Sequence, residues 1–274
     1  MLVARRHVDD RRLRAEAPAG RGVRPADHQQ RRRAGDLEER GAGVCVVIPA
    51  YNEARSVAAV VGSVYRALPE ARVVVVDDGS SDSTAAQAAA AGAAVISLPV
   101  NLGIGGAVQA GFRYALRHGF AVAMQVDGDG QHDPAEAGLL LEPIRAGTAD
   151  LTVGSRWLGR GDYDAPRGRR LGMKILSAMV ARRTGQAFTD TTSGFRAVGG
   201  PGIALFAHQY PVDFPEVEAL VLASRHGLRL QEVPVRMEAR RHGRSSITGT
   251  RSLYYMARVC LFLLVDSLGR STRS

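Results

Sequence analysis

From Val44 onward, short apolar runs alternate with stretches in which apolar residues recur every three or four positions. Apolar runs bounded by turn formers predict strands, and the longer spacing predicts helices. Residues 44–48 are the first run, ended by Pro49. Val57, Val60, Val61, Val64 and Leu68 then fall on one helical face, with Asn52 as the expected N-cap. Residues 72–76 predict a second strand, closed by Asp77-Asp78-Gly79-Ser80. Ser81 or Asp82 is expected to cap an alanine-rich helix that stops at Gly92. A third strand is expected at 94–98, a third helix at 104–118 with its stop at Gly119, and a fourth strand at 121–126 running into Asp127. Asp133-Pro134 reads as an N-cap and first helical position. Pro143 predicts an end or kink in that helix, and residues 151–153 a further strand.

This alternation predicts an α/β fold, a doubly wound and mostly parallel sheet. Val73-Val74-Val75-Val76 is apolar on both strand faces, which suits a sheet covered on both sides. The second half is less regular. Helices are expected at 174–183 and 216–226, a strand at 228–237 broken by Pro234, and an amphipathic helix at 247–268. Ser193-Gly194-Phe195-Arg196 reads as a turn.

Length changes the picture at the two ends. The 274 residues suit one sizeable domain at 41–246, an arm at 1–40 and a helix with tail at 247–274. The arm has no periodicity and is expected to be disordered. Formal net charge is +9, and eleven Arg against seven acids place +4 of it in the arm. The remainder is spread thinly, unlike a nucleic-acid footprint. Lys174 is the single lysine among 36 basic residues, a bias that points to a GC-rich genome. Cys45 and Cys260 lie far apart in apolar runs and read as buried free thiols, as in a reducing, cytoplasmic compartment. The N-terminus has no apolar signal-peptide core. No run reaches the roughly 18 apolar residues of a membrane span; the nearest, residues 253–265, is short and carries Arg258.

Open parallel sheets bind ligands beyond the carboxyl ends of their strands. The polar clusters of this chain fall at those ends: Pro49 to Glu53 after the first strand, Asp77 to Ser80 after the second, Asn101-Leu102-Gly103 after the third, and Asp127 to Asp133 after the fourth. In Asp127-Gly128-Asp129, two carboxylates two residues apart can share Mg²⁺ or Mn²⁺, hard cations often completed by substrate phosphates. Gly103-Ile104-Gly105-Gly106 has Val108 where a dinucleotide fingerprint needs its third glycine, which argues against a nicotinamide enzyme.

Taken in order, Val47-Ile48-Pro49-Ala50-Tyr51-Asn52-Glu53, Val76 through Asp82, Asn101-Leu102-Gly103, Asp127 through Pro134, Gly154-Ser155-Arg156 and Thr192-Ser193-Gly194-Phe195-Arg196 resemble the family-2 glycosyltransferases of GT-A fold, near the dolichyl- and polyprenyl-phosphate sugar transferases. The resemblance implies that Pro49, Tyr51, Glu53 and Gly103 line the nucleotide pocket. It implies that Asp77 and Asp78 meet base or ribose, and that Asp127, Asp129 and Gln131 hold the metal against the donor diphosphate. Arg156 and Arg240 match basic residues that contact phosphate, with Arg196 and Arg244 expected beside the donor as well. Relatives commonly end the last motif in Ser-Lys; here that Lys position is Ser246, and Arg244 is the expected substitute.

The resemblance further implies inverting transfer from a UDP- or GDP-linked sugar to a polyprenyl phosphate at the cytoplasmic membrane face. The alternative is the same donor chemistry with a glycan, protein or small-molecule hydroxyl. A hydroxyl acceptor needs a base, and Asp213, Glu216 and Glu218 are the candidates. Asp129, Arg156, Arg240 and Glu216 are thus expected to carry catalysis, with His132 in a supporting place. Expected partners are the donor, the acceptor, a membrane surface, and a second copy or separate membrane protein; nucleic acid is not expected.

Overall fold

The computed structural model describes residues 43–158 and 167–237, together with Arg258. Its strands are β1 Val44–Ala50, β2 Arg72–Asp77, β3 Ala94–Ser97, β4 Val122–Gln125, β5 Leu151–Ser155, β6 Arg196–Gly199 and β7 Leu230–Pro234. The helices are α1 Val57–Ala67, α2 Thr84–Ala90, α3 Gly103–Arg117, α4 Ala137–Arg145, α5 Arg167–Thr184, α6 Gly200–His208 and α7 Pro215–Arg225. One sheet runs in the order β3-β2-β1-β4-β6-β5-β7. All pairings are parallel except those of β6, which is antiparallel to β4 and to β5.

Alternation along the strands divides the core between the two faces. Val47, Val74 and Val76 pack with Ala107, Val108 and Phe112 of α3 and with residues of α5, α6 and α7. Val46, Ile48, Val73 and Val75 pack on the other face with Val57, Val60, Val61 and Val64 of α1 and with Leu140 and Leu141 of α4. Each fully buried aliphatic side chain contributes about 1.5–3 kcal/mol, so both faces need the covering helices that the wholly apolar strands implied. Cys45 sits in this core as a free thiol, and burial pushes its pKa up to about 12. A thiol so far from ionising is inert as a nucleophile.

Helix α3 lies very close to β1. A methyl on Gly111 would run into the Val47 side chain. Overpacking of this kind costs about 1–3 kcal/mol, against the roughly 1 kcal/mol that Ala gains over Gly in a helix. Gly111→Ala is therefore expected to be destabilising, read as a lower urea midpoint with an unchanged slope.

Several boundaries differ from the sequence expectation. Helix α1 begins at Val57 with Ser56 as its N-cap, and Asn52 stands in a turn with φ 56°. Pro143 lies inside α4, which continues to Arg145, and its carbonyl accepts from Thr148 and Ala149 N–H beyond the end. The strand expected at 228–237 is only Leu230–Pro234, with Met237 returning as an isolated bridge to His132. The expected turn at 193–196 leads into β6, and α6 follows it directly. No described helix is long and apolar enough to cross a membrane. The arm at 1–40, Arg240, Arg244, Ser246, Cys260 and all of the helix expected at 247–268 except Arg258 lie outside the described residues.

Candidate active site

The parallel pairing sets the ends of β2, β1 and β4 side by side. Pro49 stands opposite Val76 and Ala50 opposite Asp77, and Asp78 N–H bonds Ala50 O at 2.9 Å. The buried Asp77 carboxylate accepts from Ser80 N–H at 3.2 Å. Asp78 Oδ1 accepts from Leu102 N–H at 2.7 Å, tying the β2 turn to the loop before α3. That loop passes so near that a Cβ on Gly79, φ +72°, would lie 3.0 Å from backbone atoms of Val100 and Asn101. Glycine is required there on both counts. Gly103 opens α3, its N–H held by Asn101 Oδ1 at 3.0 Å.

The β1 turn is locked to the same region. Asn52 donates its N–H to Ser80 Oγ at 2.9 Å and accepts from Ser81 N–H at 2.9 Å. Asn tolerates the left-handed φ better than most residues. Glu53 N–H reaches Thr84 Oγ1 at 2.8 Å, and its carboxylate accepts from Ser56 Oγ at 2.6 Å, at the start of α1. Tyr51 is half exposed on the rim. Pro49, Tyr51, Glu53, Asp77, Asp78 and Gly103 are thus gathered on adjacent turns.

Asp127 follows β4, and the backbone at Gly128 passes close to Pro49, where a Cβ would be 3.2 Å from the Pro49 carbonyl oxygen. Asp129 is buried, and its Oδ1 accepts from Gln131 N–H at 3.0 Å. Gly130, φ +77°, reverses the chain. His132 then folds back, and its Nδ1 accepts from Asp127 N–H at 3.0 Å. Among the described residues, no group of three or more His, Cys, Asp or Glu is placed to hold a metal. The oxygen donors of Asp127, Asp129 and Gln131 nonetheless fit Mg²⁺ or Mn²⁺, which use one or two carboxylates and take the rest from waters and phosphates.

Across β6 lies a second charged group. Arg156 Nε donates to Asp190 Oδ2 at 2.6 Å and Nη2 to Asp190 Oδ1 at 3.4 Å. Asp190 is fully buried. Glu232 on β7 accepts the N–H groups of Thr189 and Asp190, the latter at 2.6 Å. Neither Asp190 nor Glu232 stood out in the sequence, since a lone acid outside a motif carries no signal of its own.

Arg196, expected beside the donor, is turned inward and is 2% exposed. It donates to the carbonyls of Ser193 at 2.8 Å, Thr191 at 3.4 Å and Glu216 at 2.6 Å. It braces the 191–196 loop against α7 instead of facing solvent. Glu216 stands in the first turn of α7. Burial pushes its carboxyl above the usual carboxylate range; Arg196 opposes the rise and the charge of Asp127 adds to it. Asp213 is largely exposed and pairs with Arg258 at 3.8 Å, which also stands 5.4 Å over the Phe214 ring. Glu218 lies one turn-fraction further along α7.

The acids gathered at the carboxyl ends of adjacent parallel strands stand where open α/β sheets bind their ligands. The profile of Glycosyl transferase family 2 matches residues 45–202, and the chain belongs to that family. It is 34% identical over 215 residues to the undecaprenyl-phosphate mannosyltransferase of Micrococcus luteus, covering 75% of this chain and 88% of that one. It is 33% identical over 236 residues to the polyprenol monophosphomannose synthase of Mycolicibacterium smegmatis, covering 82% and 89%. Among solved structures, glucosyl-3-phosphoglycerate synthase from Mycobacterium tuberculosis with Mn²⁺ and UDP-glucose aligns with a TM-score of 0.62 at 24% identity, over 86% of this chain and 83% of that one. The likeness to that structure is one of fold. The chain is a glycosyltransferase of GT-A architecture, as its motifs implied.

Proposed function

We propose that the protein transfers a hexose from a uridine diphosphate sugar, held with Mg²⁺ or Mn²⁺ at Asp127, Asp129 and Gln131, to an acceptor that enters beside α7. The observation that carries the donor half is the gathering of the Asp127-Gly128-Asp129 turn with Asp77, Asp78 and Glu53 at the ends of β4, β2 and β1. A bound divalent cation neutralises the negative charge that grows on the departing diphosphate. The protein side supplies the orientation: Asp129 is buried and bonded to Gln131 N–H, and the β1 and β2 turns are locked together by Asn52, Ser80 and Ser81. The Mn²⁺ and UDP-glucose in the structural neighbour support this donor.

For the acceptor, a hydroxyl is the first reading, and Glu216 supports it. A carboxyl whose pKa is raised by burial, with the charge of Asp127 adding to the rise, suits a general base. A base works only when deprotonated, so kcat/KM should fall as pH drops through that raised pKa, at a pH above the usual carboxylate range. Glu216→Gln should lower kcat by about 10²–10⁴-fold and remove this acid limb. A polyprenyl phosphate is the second reading, favoured by the names of the two bacterial relatives. A phosphate monoester has its second pKa near about 6 and attacks largely ionised, so Glu216→Gln would then keep most of its activity. Peripheral contact with the cytoplasmic membrane face belongs to this second reading.

Labelled UDP-hexoses tested with polyprenyl phosphate, and separately with hydroxyl acceptors, distinguish the two. Label in the lipid fraction favours the second reading, and label in water-soluble product the first. Failure of every nucleotide sugar to stabilise the protein in a thermal-shift screen with Mn²⁺ would overturn the donor assignment.

A further inference from the structure

We infer that Gln125 and His132 are positioning residues that fix the Asp127 carboxylate in place, with Gly194 as the floor beneath it. This rests on the metal reading of Asp127 proposed above. Gln125 and Asp127 are two residues apart, spanning the end of β4, and Gln125 Nε2 donates to Asp127 Oδ1 at 3.2 Å. His132 Nε2 faces Asp127 Oδ2 at 3.5 Å. Nδ1 accepts from Asp127 N–H at 3.0 Å, so a neutral ring carries its hydrogen on Nε2.

The ring itself has little freedom. It stacks on Phe195, with centroids 5.0 Å apart and planes at 15°. Its backbone is bridged to Met237. On the remaining side, a Cβ at Gly194 would lie 2.8 and 2.9 Å from the two Asp127 oxygens and 2.9 Å from Gln125 Nε2. Yet the Asp127 side chain stays 28% exposed, against 4% for His132. Three neighbours therefore close in on the carboxylate while one side remains open to a ligand.

A purely structural role explains this less well. Buried Gln and His side chains cost free energy unless hydrogen-bonded, and apolar residues would fill the same space. The side-chain hydrogen bonds that these two make among the described residues both go to Asp127, that of Gln125 to the carboxylate and that of His132 to the backbone N–H. Partners that orient a metal ligand are typically worth about 10–100-fold in metal affinity.

The test is Mn²⁺ binding to the full-length protein with UDP present, followed by the EPR signal of free Mn²⁺ and requiring no turnover. His132→Asn keeps an acceptor for Asp127 N–H but does not reach Oδ2; His132→Gln reaches toward Oδ2. Gln125→Met keeps volume and removes the donor. His132→Asn and Gln125→Met are expected to weaken Mn²⁺ binding about 10-fold or more, with His132→Gln recovering part of the loss. Near-ultraviolet circular dichroism of the metal-free variants should match wild type. Wild-type Mn²⁺ affinity in both variants, with Asp127→Asn binding poorly, overturns the positioning role. If Asp127→Asn binds Mn²⁺ as wild type does, or wild type shows no saturable binding, the metal reading itself fails and this inference goes with it.

Discussion

Replacing Asp129 by alanine is expected to reduce transfer by about 10³-fold or more and to abolish the response of the remaining rate to Mn²⁺ or Mg²⁺. A single donor to a developing negative charge is worth about 10²–10³ in rate. A divalent cation concentrates more charge on the same oxygens, so losing one of its carboxylates should cost at least as much. Asp129 is also a structural member of its turn, because its Oδ1 holds Gln131 N–H. Asp129→Asn keeps that acceptor and removes the charge. The two variants should therefore be alike in activity, with the asparagine variant the more stable. Initial rates across a Mn²⁺ titration, beside thermal melts without metal, check both parts. A tenth or more of wild-type activity with an unchanged metal curve would sink the assignment of Asp129 as a ligand.

The gathering of these turns at one end of the sheet was legible because each piece has a local signature. Strands buried on both faces read as unbroken apolar runs, as at Val73 to Val76, and turn formers punctuate their ends. Adjacency of β1, β2 and β4 then follows from the parallel fold class, which brings Asp77, Asp78, Glu53 and Asp127 to one edge. Asp133 as a cap was likewise readable, and its carboxylate does accept from Ala135 N–H.

What stayed hidden depends on partners distant in the chain. Strand β6 is four residues long, opens on Arg196 and closes on Gly199, and is a strand only because β4 and β5 pair with it. With β6 read as a turn, Arg196 reads as a cation beside the donor; with β6 in the sheet, Arg196 is enclosed and bonded to carbonyls of two segments. Asn52 resembles an N-cap by composition, and only the Ser80 and Ser81 contacts from another turn explain its positive φ. The same holds for Asp190. Nothing in Thr189-Asp190-Thr191 marks it, and its meaning appears once β5 and β7 set Arg156 and Glu232 on either side.

Asp190→Ala is the variant expected to cost most in stability, about 3 kcal/mol, at the lower end of the roughly 3–5 kcal/mol for breaking a buried ion pair. Asp190 is wholly buried while the Arg156 side chain is 16% exposed, so the orphaned guanidinium can turn partly toward water. The carboxylate grips Arg156 through two nitrogens and also accepts from Thr192 Oγ1 at 3.3 Å. Such two-point geometry fixes the plane of the guanidinium as well as its place. If Arg156 contacts the donor phosphates, loosening that plane should lower kcat/KM beyond the loss of folded protein. Asp190→Asn keeps one acceptor and should retain part of both. A double-mutant cycle with Arg156→Ala separates the causes. Should Asp190 act through Arg156, the double variant will be little worse than Arg156→Ala alone, in urea midpoint and in kcat/KM. Additive losses in both measurements would mean that Asp190 serves the 189–192 loop and not the arginine.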